Sequence, residues 1–275
     1  MASVLGSILG FFVKELPHKW NDTIMGYCAG IMLAAATIGL IVPAFESEGG
    51  VAWWIIVIGV MVGAIFLNVI DWITPHMHTI TGLDAEEHRN NHSLNRVLLF
   101  VLAIAIHKLP EGMAAGVSVT SDTTSPWAVT LGIALHNIPE GMAVGVVFAG
   151  VINGNSMLTL SGALALSIGM AIQNIPEGAI ISVPLRNEGK SPQKAFIWGA
   201  ASGLVEPIAA VATMFILKDS SAAMPLLLAF AAGAMLYVVV EELIPSSQKG
   251  KHSNIGTIGF AIGFMLMMLL DSCIG

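Results

Sequence analysis

The chain has 275 residues, 55% of them hydrophobic and only 11% charged, with a mean hydropathy of +0.81. Its 11 basic and 18 acidic side chains leave a net charge of −7. This excludes a soluble core and, with no basic patch, a nucleic-acid binder; it is the composition of a polytopic membrane protein.

The first apolar stretch, Met1–Val13, yields only about 20 Å of helix at 1.5 Å per residue, too little to span. It is half a helix, an interfacial segment or the remnant of a truncated span. It is not a secretory signal, because no basic region precedes it and Lys14-Glu15 follows. Eight longer stretches approach or reach the length of a hydrocarbon core of about 30 Å: Ile24–Phe45, Val51–Trp72, Val97–Val119, Trp127–Ile152, Leu158–Leu185, Ala195–Leu217, Ala222–Ile244 and Ile255–Leu270. The expected fold is an all-α multi-pass transmembrane helical bundle. It has about eight spans, nine if the short first helix counts, in a single transmembrane domain over residues 1–275.

Trp53 and Trp54 open the second span and Trp72 closes it, as aromatic belts do at the two interfaces. A polar segment follows over residues 73–96, with His76, His78, His88 and His92. His-rich tracts collect metal, but four histidines among acids and amides equally make a solvated loop. The two cysteines, Cys28 and Cys273, are far apart and imply neither a disulfide framework nor a zinc finger; Cys28 is most simply a small packing residue.

Three spans carry a repeated polar motif. "HNIPEG" at His136–Gly141 returns as "QNIPEG" at Gln173–Gly178, and a looser "HKLPEG" stands at His107–Gly112. In each, a carboxylate follows a His or Gln by four residues. His136 and Glu140, Gln173 and Glu177, and His107 and Glu111 therefore share a helix face, the arrangement of two ligands reaching one ion. Ionisable residues at membrane depth are costly and mark functional sites by default, and Glu111, Glu140, Glu177 and Glu206 all fall inside spans. Pro139 and Pro176 each lack an N–H, so they release the carbonyls of Leu135 and Ile172 and predict helices broken around a binding site. Gly141 and Gly178 let neighbouring helices approach.

The donor set of imidazole, carboxamide and carboxylate, without thiolate, suits divalent Zn, Fe, Mn or Cd and argues against copper(I). Lys108 is the one basic residue within these motifs, so bound metal is the expected neutraliser. Buried Asn and Gln also bridge helices without binding anything; for Asn137 and Asn174 that alternative weighs about equally.

The segments "HNIPEGMAVGVVF", "QNIPEGAIISVPL" and "GLVEPIAA" at Gly203–Ala210, in that order, resemble the fourth, fifth and sixth helices of the ZIP (Zrt-/Irt-like) divalent-metal transporters, bacterial type. "GIMLAAATIGLIVPAFE" at Gly30–Glu46 is similar to that family's second helix and "GAMLYVVVEELIPSS" at Gly233–Ser247 to its seventh. The resemblance implies a two-metal site at mid-membrane. His136, Glu140, Gln173 and Glu177 would hold the metal in transit, while Asn137, Asn174 and Glu206 would join Glu140 and Glu177 around a second. It also implies alternating access, with the helices that carry the site moving against a scaffold. Glu241 and Glu242 match an exit-side position, where the family often has His.

The first copy of the motif is the misfit. His107 to His136 is 29 residues and His136 to Gln173 is 37, so each repeat is one helix plus a loop and the extra copy looks like a duplicated helix. Lys14 and Lys19, Arg89 and Arg96, Arg186, Lys190 and Lys194, and Lys249 and Lys251 mark four loops expected on the cytoplasmic side. Three spans between Arg96 and Arg186 conflict with that. Lys108 replaces the Asn of the other copies and repels a cation, which makes His107 and Glu111 an accessory or vestigial site.

The expected function is transport of a divalent transition metal, Zn2+ first and Fe2+, Mn2+ or Cd2+ as further substrates, toward the cytoplasm across the cell membrane. The metal is cargo, no organic cofactor is expected, and the partners are the metal ion and the lipid bilayer. A membrane metallohydrolase with the same His/Glu cluster is one alternative, though no H-E-x-x-H is present. A transporter of a small organic ion is another, though Ala, Val, Gly and Ile surround the motifs. A homodimer is left open, since "GAASG" at Gly199–Gly203 would serve packing inside one subunit as readily as between two.

Overall fold

The computed structural model describes residues 2–13, 17–46, 52–80, 126–187, 189–217, 223–248 and 253–274. All regular structure among these residues is helical. Two short helices, α1 (Ala2–Ser7) and α2 (Leu9–Phe12), precede α3 (His18–Ala34), which passes through a π-helical stretch, Ala35–Ile41, into α4 (Val42–Glu46). Next come α5 (Trp53–Ile80), α6 (Pro126–Ile152), α7 (Leu160–Asn187), α8 (Pro192–Ser202) and α9 (Val205–Ile216). Then α10 (Met224–Val238) runs through a second π stretch, Val239–Leu243, into α11 (Ile244–Ser247), and α12 (Ser253–Ile274) follows.

Five described helical segments are long and apolar enough to cross a membrane: Lys19–Glu46, Leu160–Val183, Pro192–Ile216, Met224–Ser247 and Asn254–Ile274. Shorter apolar helices cover Ala2–Phe12, Trp53–Val69 and Asn137–Ile152. The expected span Val97–Val119, with His107, Glu111, His88 and His92, lies outside the described residues. The start of the expected polar loop is helical, because α5 runs on through Pro75 to Ile80; leaving the apolar layer does not oblige a helix to end, since polar residues can complete its last turns in water. Of His76 and His78 only the backbone is described.

Helices pair along lines of small residues, as expected where lipid tails offer no hydrophobic drive to associate. On α3 and α12, Gly26 abuts the backbone of Gly256, and Gly30 that of Phe260 and Phe264. Gly63 of α5 meets Phe230 of α10, and Gly233 of α10 meets Val60. The outer faces are apolar. Trp53 is 69% and Trp54 51% exposed at the start of α5. Cys28 is buried, as a packing residue should be.

Two proline effects differ from expectation. Neither Pro139 nor Pro176 breaks its helix: α6 and α7 continue as α-helices through them. Packed neighbours hold a helix together across one missing hydrogen bond. The interruption comes instead after Ser202, where α8 gives way to Gly203 and Leu204 before α9 starts with Val205, Glu206 and Pro207. Pro207 has no N–H for the Gly203 carbonyl, so the ladder restarts there. Pro43 and Pro245 each follow a π stretch by two residues; a wider turn eases the clash of a proline ring with the carbonyl four residues earlier.

One face of the short N-terminal segment is packed against other helices. Ser3, Gly6, Ser7 and Gly10 are buried. Gly6 presses on the carbonyl of Ile175 and the backbone N of Ala179, and Gly178 on the carbonyl of Ser3. Gly199 and Gly203 abut Ser7 and Ser3, so the "GAASG" pattern serves packing within one subunit. Ser7 Oγ donates to the Ser3 carbonyl at 2.7 Å, and Arg186 Nε to the Gly10 carbonyl at 2.9 Å.

Candidate metal site

The carboxylates and amides meet where α6, α7 and α9 cross. Gly141 of α6 fits against the Glu206 carbonyl and Ala209 of α9, and Gly145 against Ala210 and Thr213. On the α6 side no Cβ stands at these two positions, which lets the helices approach closely. Glu140 is 2% exposed, and Asn137, Gln173 and Asn174 are fully buried; Glu177 and Glu206 are half-buried.

A continuous hydrogen-bonded chain links the three helices. Gln173 Nε2 donates to Glu140 Oε1 at 2.7 Å and to Asn174 Oδ1 at 2.8 Å. Asn174 Nδ2 donates to Glu206 Oε2 at 2.7 Å. Glu177 lies one turn beyond Gln173 on α7. Neither α6 nor α9 carries a Lys or Arg, and α7 has only Arg186 in its last turn. Three carboxylates are thus gathered in an apolar interior without a basic residue on the same stretch, a costly arrangement until a cation or protons neutralise it.

Buried oxygens of this group that accept no hydrogen bond among the described residues include Glu140 Oε2, Gln173 Oε1 and Asn137 Oδ1. Buried polar atoms are nearly always paired, so lone pairs left open on adjoining side chains call for an explanation such as an ion. Together with Glu206 and Glu177 they form a hard, oxygen-rich set suited to a divalent cation. Among the described residues, no three His, Cys, Asp or Glu side chains cluster as a metal site by those residue types alone; the observed cluster depends on amide oxygens as well. His136 lies on α6, one turn before Glu140, with its side chain outside the described residues.

Asn137 also reaches the end of α8. Its Nδ2 donates to the Ser202 carbonyl at 3.2 Å, tying α6 to the end of α8 beside the break that precedes Glu206. Glu241 and Glu242 lie in the π stretch after α10, which packs against α3, Glu242 buried and Glu241 half-buried.

Cys28 also touches the site, which residue spacing did not reveal. Its Sγ lies 3.6 Å from the Gln173 carbonyl, as a thiol donor to it. The signal was present in "GYCAG" at Gly26–Gly30, a run of small residues around Cys28 of the kind that faces another helix.

The family model described as ZIP Zinc transporter matches residues 81–156 and 146–271. The chain is 32% identical over 281 residues to zinc transporter ZIPB of Bordetella bronchiseptica, covering 100% of this chain and 78% of that protein. It is 33% identical over 280 residues to zinc transporter GufA of Myxococcus xanthus, covering 100% and 95%. With zinc transporter ZupT of Chlorobaculum parvum it shares 32% identity over 288 residues, covering 98% and 92%.

Proposed function

The chain belongs to the ZIP zinc transporter family, and we propose that it moves divalent metal ions, zinc foremost, toward the cytoplasm through the cluster on α6, α7 and α9. It is a multi-pass membrane transporter of the plasma membrane and not an enzyme, which sets aside the metallohydrolase and organic-ion alternatives. The metal is cargo.

The observation that supports this site is the buried chain Glu140–Gln173–Asn174–Glu206, with open oxygens on Glu140 and Gln173. Under this proposal His136, Glu140, Gln173 and Glu177 hold the metal in transit, and Asn137, Asn174 and Glu206 complete a second position with Glu140 and Glu177. Shared carboxylates let an ion pass between the two positions without meeting an uncharged gap. His107 and Glu111, Glu241 and Glu242, and His76, His78, His88 and His92 are accessory ligands along the approach and exit.

Uptake of radioactive zinc into vesicles holding the purified chain tests the assignment. Glu140→Ala and Glu177→Ala are expected to abolish uptake and Glu111→Ala to leave it. Normal transport by all three variants would overturn the metal site, and loss confined to Glu111→Ala and Glu140→Ala would move it one repeat toward the N-terminus.

A further inference from the structure

The cluster contains no sulfur, yet a thiol lies against it. Cys28 is on α3, which packs along α12, whereas Gln173 and Glu140 are on α7 and α6. The Cys28 side chain is 2% exposed, and its Sγ donates to the Gln173 carbonyl at 3.6 Å. That residue's side-chain amide in turn donates to Glu140 Oε1 at 2.7 Å.

A buried cysteine alone is an ordinary packing residue. Here a second observation stands beside it: Glu140 Oε2 and Gln173 Oε1, on side chains 2% and 0% exposed, accept no hydrogen bond among the described residues. The thiol thus meets the backbone of a residue whose own side-chain oxygen is open and whose amide holds Glu140. A thiol hydrogen bond to a carbonyl is weak and easily given up, so the sulfur is free to turn toward an ion. When sulfur ligates, its proton passes to water.

We propose that Cys28 is a specificity-determining residue of the transport site, lending sulfur to an otherwise oxygen and nitrogen donor set and favouring zinc and cadmium over manganese and magnesium. The inference rests on the metal site proposed above. Softer ions gain from sulfur while hard ions prefer oxygen, so the thiol sorts cargo that carboxylates alone would accept together.

The chain has two cysteines, and the other, Cys273, is exposed near the end of α12. Full-length protein carrying Cys273→Ser therefore has Cys28 as its sole thiol. Cobalt(II) added to that protein is expected to give a near-ultraviolet sulfur-to-cobalt charge-transfer band, lost on adding Cys28→Ser. In vesicles, Cys28→Ser is expected to lower the preference for cadmium over manganese by about tenfold, the lower end of what losing a group beside a metal costs. If Cys28→Ser does not fold, protection of the sole thiol from a membrane-permeant maleimide by cadmium, and not by manganese, reads the same contact. Cobalt bound without the band, an unchanged preference, or absence of cadmium protection would overturn the proposal. Glu140→Gln in the same background separates the two levels. If it abolishes cobalt binding and transport while the band is absent from the parent, only the thiol's role fails; if it leaves both intact, the site itself fails.

Discussion

Substituting Gly141 with alanine strikes the site without touching a ligand. A Cβ at this position would overlap the carbonyl oxygen of Glu206 and come within 2.8 Å of Ala209 Cβ, where ordinary contact begins at 3.4 Å. Helix α9 must therefore retreat by about 0.6 Å at Ala209 and by more at Glu206. The hydrogen bond from Asn174 Nδ2 to Glu206 Oε2, now 2.7 Å, is carried toward the limit of a useful bond. Overpacking costs ~1–3 kcal/mol, and losing a hydrogen bond to a charged group ~1.5–3 kcal/mol. Taken at their lower bounds these give about 2.5 kcal/mol, roughly 60-fold if all of it falls on metal affinity. Zinc uptake at subsaturating concentration should fall at least tenfold, with a lower melting temperature in detergent. Gly154→Ala is the control. Gly154 has φ +72° and nothing within 4 Å of a built Cβ, so alanine there costs ~1–2 kcal/mol of backbone strain and leaves uptake at saturating zinc unchanged. Wild-type uptake and melting temperature in Gly141→Ala would refute the claim that this helix contact sets the site.

Asn174→Asp places a fourth carboxylate beside Glu206, so the metal-free protein should melt lower and zinc should raise its melting temperature more than in wild type; equal zinc-induced shifts would count against a second metal position. Asn174→Ala removes the donor to Glu206 and should weaken zinc-dependent stabilisation by ~1.5–3 kcal/mol, measured by thermal melting across a zinc titration. Arg186→Ala removes bonds to the Gly10 and Lys190 carbonyls and should speed proteolysis of the first dozen residues while costing ~1–3 kcal/mol of stability; unchanged cleavage would mean that packing alone holds α1 and α2.

The helical class and the central carboxylates were legible because both follow from local rules. Span length comes from hydropathy, and the four-residue spacing of Gln173 and Glu177 places two polar groups on one face whatever the rest of the chain does. The hydrogen-bonded chain was only half legible. Spacing brought Glu140 and Gln173 forward as ligands, but that Gln173 holds Glu140 and Asn174 together depends on how α6 and α7 cross, which no single-helix pattern contains. The breaks were misplaced for a related reason. A proline removes one bond wherever it falls, yet whether the helix parts depends on its neighbours. Pro139 and Pro176 lie inside continuous helices, whereas Pro207 lies three residues into α9, just past the interruption at Gly203 and Leu204.

The N-terminal segment shows what length alone misses. Too short to span, Met1–Val13 invited description as half a helix, an interfacial segment or a remnant of a span. Its Ser3, Gly6, Ser7 and Gly10 nevertheless form a small-residue face, on which the Ser3 carbonyl meets Gly178 and the Ser7 and Ser3 side chains meet Gly199 and Gly203. Gly178 directly follows Glu177 and Gly203 directly follows Ser202, the residue whose carbonyl accepts from Asn137. The short helix thus braces the two backbone stretches that present the site. In this protein glycine sets how far the ligand-bearing helices stand from each other, and a methyl group at Gly178 would displace Glu177 through the Ser3 carbonyl while every ligand remained in the sequence.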